Sequence, residues 1–95
     1  MLILVTYDVN TETPAGRKRL RQVAKACQDH GQRVQNSVFE IVADAGKLLQ
    51  IKDRLVKIID PAKDSLLFYV LGNDQARADH YGVKPSQSVT EPLIL

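Results

Sequence analysis

The sequence predicts an α+β sandwich, with helices on one face of an antiparallel sheet. Three observations carry that expectation. Apolar, strand-forming runs stand at "LILVTYDV", "VFEIVA" and "DSLLFYVL". Two stretches with helical spacing of their apolar residues lie between these runs, and the chain closes on a polar tail that ends in "LIL". Strands interleaved with amphipathic helices must bury one face of each in a shared core, which favours a two-layer arrangement.

The first strand is expected over Leu2 to Val9. Apolar residues fall on both alternating faces, as in a central strand covered on both sides. Asp8 shares a face with Leu2, Leu4 and Thr6, at the strand's C-terminal end. A carboxylate at the tip of such a run is costly unless it is paired, hydrogen-bonded or bound to a metal. Asp8 therefore either caps a turn or binds a metal ion.

In "NTETPAGRKRLRQVAKACQDHG", Thr13 and Pro14 read as a helix start, because proline at a first-turn position forgoes an amide hydrogen that has no partner there. Leu20, Val23, Ala24 and Cys27 form one stripe, and Gly31 ends the helix. Cys27, the only cysteine, reads as a small buried hydrophobe, and His30 as a favourable charge at the helix C-terminus. In "QRVQNSVFEIVA" the alternation changes phase, with Val34 on the even face and Phe39 and Ile41 on the odd. That shift predicts a bulge or sharp kink near Asn36–Ser37, or else a continuous strand covered on both faces.

A second helix follows, with Asp44 as its N-cap and Leu48, Ile51, Leu55, Ile58 and Ile59 as its buried stripe; Asp60–Pro61 marks its end. "DSLLFYVLGN" predicts another buried strand turning at Gly72–Asn73. The tail from His80 to Leu95 reads as loop with an apolar terminus that docks as an edge strand, on its own sheet or a partner's. Paired as a split βαβ unit, these elements make a ferredoxin-like sandwich in a single domain, residues 1–95, with a C-terminal edge strand.

Ninety-five residues hide only about two-thirds of the surface that the unfolded chain exposes, so an uncovered apolar face favours self-association. The net charge of +2 is small, yet Arg17, Lys18, Arg19, Arg21, Lys25 and Arg33 fall in one window with a single acid, Asp29. Such a cluster is either a solvated helix face or an electrostatic footprint for phosphates. On the second reading Arg17, Lys18, Arg19 and Arg33 contact the nucleic-acid backbone. The N-terminal run is too short to span a membrane and lacks the flanks of a signal peptide, so a cytoplasmic location is expected.

Taken in order, "TYDV", the basic helix "GRKRLRQVAKAC", "GQRVQNSVFE" and "DSLLFYVLG" resemble the CRISPR-associated Cas-two family, the smaller core protein of spacer acquisition. The resemblance covers nearly the whole chain, and the "KPS…EPLIL" ending is similar to one branch of the family. It implies a homodimer with a divalent metal at Asp8, for which Mg²⁺ is the expected cofactor, and nuclease activity on duplex DNA or RNA. It also implies assembly with a larger integrase subunit in antiviral defence. Mg²⁺ held by one or two carboxylates fits phosphodiester hydrolysis, and a two-fold axis near the strand ends would bring Asp8 to its symmetry mate. Tyr7, Ser37 and Phe39 either serve the core and backbone or line the Asp8 site, and Glu12 either joins it or stays a solvated loop carboxylate. A DNA-binding scaffold without catalysis is the alternative; it needs the basic cluster but not Asp8. A base-stacking RNA reader is disfavoured, because no aromatic-rich strand of the "GFGFVxF" type is present.

Overall fold

In the computed structural model, residues 1–71 and 77–83 are described. The elements are β1 (Leu2–Asp8), α1 (Pro14–His30), β2 (Gln32–Gln35), β3 (Val38–Val42), α2 (Ala45–Ile58), β4 (Ser65–Leu71) and β5 (Arg77–Gly82). The strands form one sheet in the order β2-β3-β1-β4-β5, with every neighbouring pair antiparallel. Both helices pack on one face. The first four strands in chain order have the ferredoxin-like arrangement and β5 extends it at one edge.

The helix starts form as expected. Thr13 accepts a hydrogen bond from the Gly16 amide at 3.0 Å through its hydroxyl, and Asp44 accepts one from Lys47 at 2.7 Å. Each cap satisfies an amide that has no partner within its own helix. Between the strands and the helices lie Ile3, Val5, Phe39, Ile41, Leu66 and Phe68, packed against Val23, Cys27, Leu48, Ile51 and Leu55. Burial pushes the Cys27 thiol up to about 12, against the weaker opposing charges of Arg54 and Arg33. It is an inert core atom, as its place on the stripe suggests.

The phase change in the third segment is a hairpin. Asn36 and Ser37 are the whole connection between β2 and β3, so the chain reverses there rather than kinking. A register shift between Arg33 and Gln35 adds a bulge on the same strand, and Val34 is exposed at it. The edge strand also differs in position from the sequence expectation. It begins at Arg77 and pairs with β4 of the same chain, so His80 lies in a strand, not in a loop. The expected turn at Gly72–Asn73 and the tail beyond Val83, including "PLIL", lie outside the described residues.

β1 is central, between β3 and β4, but it is covered by helices on one side only. Ile3, Val5 and Tyr7 point to the helices. Leu2, Leu4, Thr6 and Asp8 point to the opposite face, where Leu4 is buried, Leu2 and Thr6 are half-buried and Asp8 is exposed. Val42, paired with Leu2 on that face, is 77% exposed.

His30 ends α1, but burial and then the charges of Lys47 and Arg54 push its pKa down. The cationic form that a helix C-terminus favours is thereby disfavoured. Gly31 follows it in an extended conformation (φ −163°, ψ −158°), so the glycine is not there for left-handed backbone. Space is the reason: a Cβ would collide with the Glu40 carbonyl oxygen and the Ile41 side chain. Gly31→Ala is expected to destabilise the fold by about 1–3 kcal/mol, the overpacking penalty exceeding the smaller gain from a stiffer unfolded chain. Urea unfolding should show a lower midpoint at unchanged slope.

Candidate functional site

Strand pleating decides which of the expected site residues meet. Successive side chains point to opposite faces, so Tyr7 and Asp8 cannot share one. Tyr7 is buried on the helix side, where its ring stacks on Phe39 with centroids 6.1 Å apart and planes inclined by 22°. The Arg33 guanidinium lies 5.1 Å from the Phe39 ring centroid, a cation–π distance. The Tyr7 hydroxyl donates to the Asn36 carbonyl at 3.3 Å. Burial raises the Tyr7 pKa, with Cys27 adding to the effect and Arg33 opposing it. Tyr7 and Phe39 are therefore core rings with Arg33 laid over their outer edge, and they do not line the face that carries Asp8. Ser37 serves the backbone: its carbonyl accepts the Tyr7 amide at 3.1 Å, one residue before Asp8.

Asp8 itself is exposed, on the open face of the sheet. Its carboxylate takes no part in the ion pairs among the described residues. Ser65 of β4 stands directly opposite in the ladder. On the far side of Ser65, the His80 imidazole Nε2 lies 3.3 Å from the Ser65 hydroxyl and 2.9 Å from the Val83 carbonyl. Asp8, Ser65 and His80 thus share one end of one face. Neither Ser65 nor His80 stands out locally in the sequence, because strand pairing alone brings them to Asp8. Among the described residues no group of three or more His, Cys, Asp or Glu side chains is gathered for a metal. At this end of the face the described residues offer one carboxylate, Asp8, which suits a cation that keeps most of its waters.

The basic residues divide by position. Arg17, Lys18, Arg21 and Lys25 are exposed along α1, where Arg17 donates to the Thr11 carbonyl at 3.2 Å and Lys25 pairs with Asp29 at 2.9 Å. Arg19 is different. Its Nε donates to Asp64 at 2.7 Å and one Nη at 3.3 Å, and its side chain is 15% exposed. Asp64 is fully buried and also accepts the Asn10 amide at 2.9 Å and the Asp60 amide at 2.8 Å. The sequence gives no local sign of this pair, since its members lie 45 residues apart.

The comparisons with known proteins agree with one another. Residues 1–78 match the family described as CRISPR associated protein Cas2. The chain belongs to the Cas2 family. It is 63% identical, over 99% of its length and 100% of the other's, to the CRISPR-associated endoribonuclease Cas2 3 of Rhodospirillum rubrum. A CRISPR-associated endonuclease Cas2 of Halalkalibacterium halodurans is 54% identical over 99% of each chain. The crystal structure of Streptococcus pyogenes Cas2 superposes with a TM-score of 0.70 at 64% identity, covering 78% of this chain and 89% of that one. The α+β fold with two helices and a five-stranded antiparallel sheet is thus that of a Cas2 protein.

Burial alone would raise the Asp64 pKa. The hydrogen bonds from Arg19 and the Asp60 and Asn10 amides, with the Arg19 charge, outweigh it and hold the carboxyl below the usual range. A folded pKa below the unfolded value of about 3.9 means stability that is present above that pH and lost as pH falls through the folded value. Asp64→Asn should therefore be less stable than the wild type at pH 7, with the difference shrinking below about pH 4. Urea midpoints of both proteins measured from pH 7 to pH 2.5 test this. Equal differences at all pH values would exclude it.

Proposed function

We propose that this Cas2 protein is a metal-dependent nuclease that cleaves phosphodiester bonds of duplex DNA or single-stranded RNA within a CRISPR system. The supporting observation is Asp8: an exposed carboxylate outside the ion-pair network, held at the end of the central strand, in a chain 63% identical to a named endoribonuclease. Asp8 would hold Mg²⁺, which supplies charge stabilisation and an activated water for hydrolysis. Exposed Arg17 and Lys18 on α1, with Arg33 on β2, would bind backbone phosphates and so set the position of the strand to be cut. Such contacts carry no base preference.

The working unit on this reading is a homodimer, joined through the open face of the sheet. Leu2, Val42 and Leu71 form an apolar row across it, and the Tyr69 hydroxyl on the same face is buried without a hydrogen-bond partner among the described residues. A second copy related by a two-fold axis would cover that row and place a second Asp8 near the first. The apolar tail would help to hold the two subunits, and the dimer would join the larger integrase subunit. Among the described residues no helix is long and apolar enough to cross a membrane.

Asp8→Asn keeps the size and removes the anionic ligand. It should reduce Mg²⁺-dependent cleavage of matched RNA and duplex DNA below detection, while fold, dimerisation and duplex binding stay as in the wild type. Cleavage by Asp8→Asn with an unchanged Mg²⁺ requirement would remove Asp8 from the site. If neither protein cleaves and both bind DNA, the chain is a scaffold instead.

Arg17→Gln should weaken binding to all sequences alike and flatten the dependence of log K on log salt by about one unit. A changed sequence preference at constant slope would count against a phosphate contact.

A further inference from the structure

The basic window in the sequence places Arg19 with the phosphate-binding cations, but its guanidinium points the other way, into the protein. We infer that Arg19 and Asp64 form a positioning pair that fixes the backbone on both sides of Asp8, and that Arg19 does not contact nucleic acid.

The geometry supports this at each step. Asp64 is 0% exposed and receives bonds from three parts of the chain. One is Arg19 of α1, one is the Asp60 amide in the turn after α2, and one is the Asn10 amide, two residues beyond Asp8. Asp64 also precedes Ser65, the residue directly opposite Asp8 in the β1–β4 ladder. The strand end that carries Asp8 is thus tied along its own chain through Asn10 and across the sheet through Ser65. Both ties converge on the same carboxylate.

Three further contacts tighten the arrangement. The Asn10 carbonyl lies so close to Gly16 in the first turn of α1 that a Cβ there would overlap it. The Asn10 side chain accepts the Glu12 amide at 3.0 Å, which shapes the loop into α1. Asp64 further accepts the Val83 amide at 2.8 Å through its own carbonyl, at the end of the strand that carries His80. A buried carboxylate with this many donors is stable only while its cationic partner remains. Arg19 therefore governs whether the Asp64 clasp holds, and through it where the Asp8 carboxylate stands.

The metal part of this inference rests on the reading of Asp8 given above, and Mn²⁺ alone is a suitable probe. The full chain is titrated with Mn²⁺, following the free ion by electron paramagnetic resonance, for the wild type, Arg19→Gln, Arg19→Lys and Asp64→Asn. All variants are held well below their melting temperatures. Losing a positive charge near a cation site would by simple electrostatics tighten Mn²⁺ binding. A positioning role gives the opposite sign: Arg19→Gln should weaken Mn²⁺ about tenfold or more, as loss of a partner behind a ligand does, and Arg19→Lys should recover part of it. Asp64→Asn should weaken it as well.

Two measurements keep the inference open to refutation whatever the metal does. Hydrogen exchange of the Asn10 amide should accelerate in Arg19→Gln while core amides of β1 and β4 stay protected. The salt slope for duplex binding should stay at the wild-type value in Arg19→Gln, in contrast to the loss expected for Arg17→Gln. Unchanged or tighter Mn²⁺ binding by Arg19→Gln overturns the positioning role, and a flattened salt slope overturns the absence of a phosphate contact. If the wild type itself binds no Mn²⁺, the metal reading of Asp8 fails. The pair is then judged by exchange and slope alone: faster Asn10 exchange at constant slope supports it, and any other combination rejects it.

Discussion

Asp64 is the one charged side chain of this protein that is fully buried among its described residues, and much of the structure answers to it. Removing a carboxylate from water costs several kcal/mol unless donors replace the lost hydration. Here the replacement comes from elements far apart in sequence: α1 supplies a guanidinium, and the segments following β1 and α2 each supply an amide. None of these donors is in place unless the helices have docked on the sheet. Satisfying Asp64 is therefore conditional on the whole fold, which makes the clasp cooperative with packing rather than additional to it. Greasy packing of Ile3, Phe39 and Phe68 gives the core its bulk, while this carboxylate sets how the ends of the elements are aligned over it.

The pleat of β1 supplies a second constraint. A strand of period two gives each neighbouring pair of side chains to opposite environments, and β1 uses that fully. Tyr7 enters the core, stacks on Phe39 and carries Arg33 over the outer edge of the pair, whereas Asp8 turns to the open face. The strand end at Asp8 is thus flanked by residues anchored elsewhere in the fold. Its own strand is anchored by buried neighbours, its partner strand by Leu66 and Phe68, and the turn beyond it by Asp64.

The parts of this structure that were readable in the sequence are those set by local periodicity and by capping chemistry. Thr13, Pro14 and Asp44 mark helix starts because a cap acts within one turn of its own residue. The stripe from Leu48 to Ile59 shows its buried face for the same reason. The phase change around Asn36–Ser37 was visible too, but period alone could not separate a kink from a two-residue hairpin, since both shift the alternation by similar amounts. Position on a face was legible for Asp8. Its neighbours were not, because Ser65 and His80 reach it only through the antiparallel register of β4 and β5. Arg19 is the sharpest example. Within "GRKRLRQ" it looks the same as Arg17 and Arg21, and only the rotation of α1 against the sheet turns it inward to a carboxylate 45 residues away.

The face that carries Asp8 divides into an apolar end and a polar end. At one end of it stands an apolar row, Leu2 with Val42 and Leu71, too exposed to contribute much to the core of one subunit. At the other end stand Asp8, Ser65 and His80, polar groups with one carboxylate between them. These two ends call for the same remedy. On the proposed reading, a two-fold axis parallel to the sheet and running along the strands would cover apolar surface with apolar surface, and it would duplicate every polar group at the other end without adding a residue to the sequence. Mg²⁺ needs few protein ligands and tolerates many waters, so a pair of carboxylates from two copies is a sufficient anionic set where one is sparse. On the proposed reading, dimer assembly and site assembly would be the same event, and the clasp behind each Asp8 would set how closely the two halves of the site match.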